Sequence, residues 1–206
     1  MGELALRAFL TLFVVVDPVG IAPVFLGLAG TRSPEEQRRI ALRAVLVAGG
    51  VLFGFALGGA WLLEQLAISM NAFRVAGGIL LFRIAVGMVL AAPHERETAE
   101  EEEEARSRPD VSVFPLAIPL IAGPGAMASM MILVGQAGAH VRRVAVVFAM
   151  AAAVLLLTWI ALRLASPLGR VLRRTGVNVV TRVLGVLLAA LAVQYVADGV
   201  RGLLRG

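Results

Sequence analysis

No cysteine and no lysine occur in the 206 residues, and there is one tyrosine and only two histidines. Without cysteine the chain has neither a disulfide nor a thiolate-held metal. Every cation is an arginine, so the formal net charge of +5 reflects a biased composition or a hot habitat more than a chemistry. His94 and His140 both fall in loops, and no His/Glu metal spacing or nucleophile beside a base is present, so no enzyme site is expected. Charge itself is scarce. Charged residues make up 16% against 59% hydrophobic, with a mean hydropathy of +0.88, which excludes an ordinary soluble domain. No strict alternation suggests a β-barrel. The arginines flank apolar runs, where they serve topology and lipid headgroups, so no nucleic-acid partner is expected.

What is present is long apolar runs. Six are read as membrane spans, at about 4–28, 40–63, 73–91, 112–136, 144–165 and 179–200. Met1-Gly2-Glu3 lacks the basic start of a signal peptide, so the first run is expected to stay in the mature chain. Ser33, Pro34 and Glu36 form a capping box that starts the second helix. Gly49, Gly50, Gly54, Gly58 and Gly59 offer small surfaces for close packing in it. Between Pro93 and Pro109 the run Glu100 to Glu104 marks a solvated acidic linker. Leu168 to Arg174 reads as a short interfacial amphipathic piece closed by Gly176.

The first run contains Asp17-Pro18-Val19-Gly20-Ile21-Ala22-Pro23, an acid and two prolines inside hydrocarbon. A carboxylate there is costly and faces a cavity or a partner. Asp-Pro also reads as a helix cap and first helical residue, so the helix is expected to stop at Val16 and restart at Pro18. The device recurs at Pro119-Leu120-Ile121-Ala122-Gly123-Pro124-Gly125-Ala126, with Gly123 where Asp17 stood. Pro18 matches Pro124, Arg74 matches Arg182 and Arg38-Arg39 matches Arg142-Arg143 at nearly one spacing. A three-span unit repeated once must run upside down the second time. The expected fold is therefore an all-α membrane protein of six transmembrane helices. It comprises a first three-helix repeat (1–92), an acidic cytoplasmic linker (93–110) and a second, inverted three-helix repeat (111–206), with helices 1 and 4 broken at mid-membrane. Loops one-two, three-four and five-six carry the excess of arginine, which puts both termini outside.

The residues Asp17-Pro18-x-Gly20-x-x-Pro23-x-Phe25-Leu26, Phe73-Arg74-Val75-Ala76-Gly77-Gly78, Pro119-Leu120-x-x-Gly123-Pro124-Gly125-Ala126 and Thr181-Arg182-x-x-Gly185 resemble the MarC family of six-span bacterial and archaeal membrane proteins, over nearly the whole chain. That resemblance implies a multi-pass protein of a bacterial or archaeal cell membrane, the inner membrane where there are two. It also implies transport of small neutral amino acids such as glycine and alanine. The chain departs from the family in Ile21, where many members have Asn, and in Arg83, where an apolar residue is usual.

The residues themselves suit a zwitterion. Gly123 cannot cap the helix that restarts at Pro124, so the N–H groups of Gly125 and Ala126 are left for a substrate carboxylate. Asp17, with Pro18 and Gly20, supplies the opposite charge for an ammonium, or takes up a coupling proton. Asn71 and Thr181 are further candidate linings, and Gln194 either lines the site or bridges helices. Arg83 lies deep in its span and pairs with Asp17 or another polar group, or snorkels beside a cavity. No cofactor or metal is expected, with H+ as the coupling ion. The expected partners are a small zwitterionic amino acid, the lipid bilayer and, as an open alternative, a second copy in a homo-oligomer. Export of another small solute and an intramembrane enzyme acting on a lipid-linked substrate are the competing readings.

Overall fold

The computed structural model describes residues 1–90, 110–138 and 140–205. Most of the acidic linker therefore lies outside the described residues. Within them the chain is all helix: α1 Gly2–Val16, α2 Pro18–Ala29, α3 Pro34–Gln65, α4 Met70–Leu90, an irregular α5 Ser112–Ile121, α6 Pro124–Ala137, α7 Val141–Arg163 and α8 Ala165–Arg205. Five stretches are long and apolar enough to cross a membrane: Gly2–Ala29, Pro34–Gln65, Met70–Leu90, Val141–Arg163 and Val179–Arg205. A sixth results if α5 and α6, bent by 54°, count as one span.

Local chemistry sets the boundaries. The Ser33 hydroxyl accepts the Glu36 N–H at 3.3 Å, and the Glu36 carboxylate accepts the Ser33 N–H at 3.2 Å, so α3 starts on a complete capping box. Phe114 and Ile118 sit at extended angles inside α5 (φ −128°, ψ 124° and φ −130°, ψ 124°). Each precedes a proline, whose ring disfavours helical geometry in its predecessor. At the α3–α5 contact Asp110 accepts the Ser112 N–H at 3.0 Å and the Ser112 hydroxyl, and pairs with Arg43. These bonds hold the Asp110 carboxyl below the usual carboxylate range, the Ser112 hydroxyl contributing most.

Two sequence expectations are corrected here. Gly176 does not close a short helix: α8 runs unbroken from Ala165 to Arg205. One glycine inside a helix costs only about 1 kcal/mol and is absorbed here. The amphipathic character expected of residues 168–174 rests on side chains outside those described. In α3 the glycines divide by face. A Cβ on Gly49 would touch Leu155 of α7 at 3.2 Å and one on Gly59 would crowd Met131 of α6, but Gly50, Gly54 and Gly58 meet nothing within 4 Å. Spaced four apart, those three share the outer stripe of the helix.

The core lies where α1, α2, α3, α5, α6 and α7 meet, around Leu12, Phe25, Leu52, Leu116, Met130 and Leu133. A smaller cluster of Leu81, Ala85, Ile132, Leu188, Ala192 and Tyr195 joins α4 and α8 to it. Those two helices run antiparallel with their backbones close. A Cβ on Gly78 would lie 2.8 Å from the Ala192 carbonyl, and one on Gly185 would lie 3.2 Å from the Ala85 carbonyl. Large apolar side chains such as Leu46, Leu57 and Leu156 remain exposed on the outside, as a lipid-facing surface requires.

Candidate functional site

The first break is a single residue. Asp17 takes the left-handed conformation (φ 48°, ψ 67°), its N–H closing α1 on the Phe13 carbonyl at 3.0 Å while its own carbonyl starts α2 by accepting the Ile21 N–H at 3.1 Å. The Asp17 carboxylate turns onto α2 and accepts the Gly20 N–H at 3.0 Å. Pro18 follows in the first helical position, where it has no N–H to leave unpaired. Gly20 is glycine for a steric reason, because a Cβ there would overlap Asp17 Oδ2. The second break spans two residues. Ala122 ends α5 with its N–H on the Ala117 carbonyl at 2.8 Å, and Gly123 opens α6 in an extended conformation. No side chain caps α6, and its first backbone bond runs from the Met127 N–H to the Gly123 carbonyl at 3.0 Å.

The helix ends next to the two breaks, α1 and α6, touch. A Cβ on Gly125 would overlap Leu81 of α4 and come within 3.7 Å of Val15 in the last turn of α1. The last turn of α1, two residues before Asp17, thus packs against the first turn of α6, with Leu81 of α4 against the same glycine. Two cavities lie among residues at helix ends. One, of about 250 Å³, is lined by Arg32, Glu36, Arg39, Arg43, Asp110 and Ser112, and the other, of about 270 Å³, by Met1, Glu3, Leu4, Arg7, Gln136 and Arg143. Asp17 lines neither of these two.

Other candidate residues fall elsewhere. Asn71 packs on α8, where a Cβ on Gly202 would meet its amide at 2.5 Å, and its Oδ1 accepts from Arg74 at 3.4 Å. Thr181, half-buried, stands one turn before Gly185, which faces Met88 and Val89 at the far end of α4. Gln194 is exposed and donates to Asp198 at 2.8 Å. Arg83 makes no ion pair with Asp17. It follows Leu81 by two residues, about 200° around the helix, and so points away from the face that buries Gly77, Gly78, Leu81 and Ala85. Depth along a span, from which the pairing was inferred, says nothing about azimuth.

Two polar groups escaped the sequence reading. Ser129 is fully buried within α6 with the Tyr195 hydroxyl of α8 for its neighbour, and Arg74 Nε is buried on α4 without an acceptor. Arg74 carried a usable signal, a cation one turn inside an apolar span. Ser129 carried none, because an isolated serine among methionines and alanines reads as small packing. Among the described residues no group of His, Cys, Asp and Glu could hold a metal ion.

Comparison with known proteins matches residues 3–204 to the family described as MarC family integral membrane protein. A UPF0056 membrane protein of Aquifex aeolicus is 38% identical over 99% of this chain and 95% of its own length. The UPF0056 membrane protein YhcE of Escherichia coli is 35% identical over 97% and 93%, and one from the archaeon Archaeoglobus fulgidus 35% over 93% and 90%. No solved structure matches the chain.

Proposed function

The chain belongs to the MarC family, multi-pass integral membrane proteins with members in bacteria and archaea, and from that premise we propose that it is a secondary transporter of small neutral amino acids and not an enzyme. The observation that supports this reading is the packing of the last turn of α1, just before Asp17, against the uncapped start of α6. An ammonium is matched by the Asp17 carboxylate, a carboxylate by the N-terminal end of α6, and the tight surroundings of Gly20 and Gly125 suit a substrate with little or no side chain. Broken helices meeting within a bundle are where secondary transporters hold substrate and coupling ion. H+ is the coupling ion of this reading, carried by Asp17.

Alternating access between two inverted repeats fits the packing. Gly78 meets the carbonyl of residue 192 and Gly185 meets that of residue 85, and the matched positions are 107 residues apart in each case (78 and 185, 85 and 192). Such reciprocity is what a pseudo-twofold axis between copies produces. The two cavities at helix ends then correspond to an inner and an outer vestibule, with the arginine-rich one at Arg32, Arg39 and Arg43 on the cytoplasmic side and both termini outside.

The test is uptake of labelled alanine or glycine by proteoliposomes, with and without a pH gradient, for the parent and Asp17→Asn. The asparagine keeps a cap oxygen and loses the titratable charge, so gradient-driven uptake is expected to vanish in a protein that still folds. Uptake by the variant with an unchanged response to the gradient would leave Asp17 as a cap alone.

A further inference from the structure

Outward from the junction of the breaks, α4, α6 and α8 come together at a pair of glycines. A Cβ on Gly77 would meet Ala128 of α6 at 2.7 Å, and one on Gly78 would meet Val196 of α8 at the same distance. One turn before this pair stands Arg74, on the side of α4 that also carries Asn71, Gly78, Leu81 and Ala85. Its Nη1 reaches Asn71 Oδ1 only at 3.4 Å, and its Nε is buried with no acceptor. Ser129 of α6 is 0% exposed, and the polar group its Oγ faces is the Tyr195 hydroxyl. The Tyr195 hydroxyl of α8, on a residue 4% exposed, lies beside Ser129 and within electrostatic reach of Arg74 and Arg7.

Three helices therefore bring a half-buried guanidinium and two buried hydroxyls near one another, with no acid paired to Arg74 among the described residues. Neither α4 nor α6 contains an acidic residue. The one acid of α8, Asp198, accepts from Gln194 and lies 3.7 Å from Arg201, while Asp17 caps α2. Leaving the Arg74 Nε–H unpaired away from water is costly, and the Ser129–Tyr195 pair can between them satisfy only one of their two O–H donors, so an anion answers both deficits at once. We propose that Arg74, Ser129 and Tyr195 form a carboxylate site, the guanidinium supplying charge and the two hydroxyls donating hydrogen bonds to the carboxylate oxygens.

The site is separate from the breaks. Leu81, which covers Gly125, is seven residues from Arg74, about 10 Å along α4. An α-amino acid is too short to bridge that distance, so a single molecule would occupy one position at a time, with Arg74 the outer of the two. That staging role rests on the transport reading, whereas the carboxylate site itself does not.

The probe is propionate, a carboxylate without an ammonium, titrated calorimetrically into the purified protein in detergent beside propionamide. The parent is expected to bind propionate saturably and propionamide not at all. Ser129→Ala and Tyr195→Phe, each removing one oxygen, are expected to weaken propionate about tenfold, the range of a hydrogen bond to a charged group. Arg74→Gln is expected to abolish binding, and Arg83→Leu, on the outer face, to leave it unchanged. Absence of propionate binding by the parent, or equal affinity in folded Ser129→Ala and Tyr195→Phe, would overturn the site. Propionate binding that depends on these residues, in a protein that takes up neither alanine nor glycine, supports the site and removes the transport reading. Alanine uptake together with propionate binding indifferent to all three substitutions does the reverse.

Discussion

Asp17 and Gly20 work as one unit, because the carboxylate that caps α2 occupies the space a side chain at 20 would need. Gly20→Ala is therefore expected to push the carboxylate off the Gly20 N–H and to cost about 1–2 kcal/mol, the usual worth of an N-cap, read as a lower unfolding temperature in detergent. Gly123 is constrained differently. A Cβ there would lie 2.5 Å from the Pro119 carbonyl oxygen, so alanine, serine and aspartate all begin with the same clash. Substrate affinity across that series separates the two effects: Gly123→Asp is expected to bind alanine more weakly than Gly123→Ala does, since it adds a negative charge where the helix end attracts one. Arg83 should prove dispensable. With its side chain exposed and unpaired to Asp17, Arg83→Leu is expected to leave uptake and stability close to the parent, and a loss comparable to Asp17→Asn would restore the pairing that the geometry does not show.

Between elements, two contacts can be tested against their own controls. The α4–α8 seam depends on Gly78 and Gly185 admitting the opposite backbone, so Gly78→Val is expected to force the helices apart and destabilise by about 1–3 kcal/mol, as overpacking does. Gly54→Ala, on the open stripe of α3, is expected to be neutral or slightly stabilising by the same unfolding measurement. The link between α3 and α5 is electrostatic. Because Asp110 is held below its unfolded value, its bonds stabilise the fold above about pH 4 and are lost as pH falls through the lower folded value. Unfolding of Asp110→Asn followed against pH should therefore show a gap to the parent at neutral pH that closes on acidification. The gap is expected to be small, since both partners are exposed and the charge is screened.

For the whole molecule, the asymmetry of arginine between the loops predicts an orientation, and packing does not. The chain contains no cysteine, which makes single replacements clean reporters. Cysteine in place of Arg142, at the start of α7, is expected to react with a membrane-impermeant thiol reagent in intact cells, and cysteine in place of Arg39 only after the cells are opened. The opposite pattern would reverse the topology and exchange the inner and outer vestibules. Both positions are exposed at the ends of the bundle, so protection at either would come from the membrane and not from burial in the protein.

Composition and spacing alone determined the class of this protein, the approximate spans, the capping box at Ser33 and the helix boundary at Asp17, because each follows from short-range physics: hydrocarbon tolerates apolar helices, and Asp-Pro starts one. Family membership was legible for the same reason, since its motifs are local. Tertiary structure alone decided azimuth and adjacency. It turned Arg83 outward, sent Asn71 and Thr181 to opposite ends of the α4–α8 seam, split the α3 glycines into a packed and an open set, and set the last turn of α1 against the first turn of α6 across Val15, Leu81 and Gly125. It also buried Ser129 of α6 beside Tyr195 of α8. Position along a helix is written in residue number, but the side to which a residue turns, and what waits there, depends on which neighbours the helix packs against.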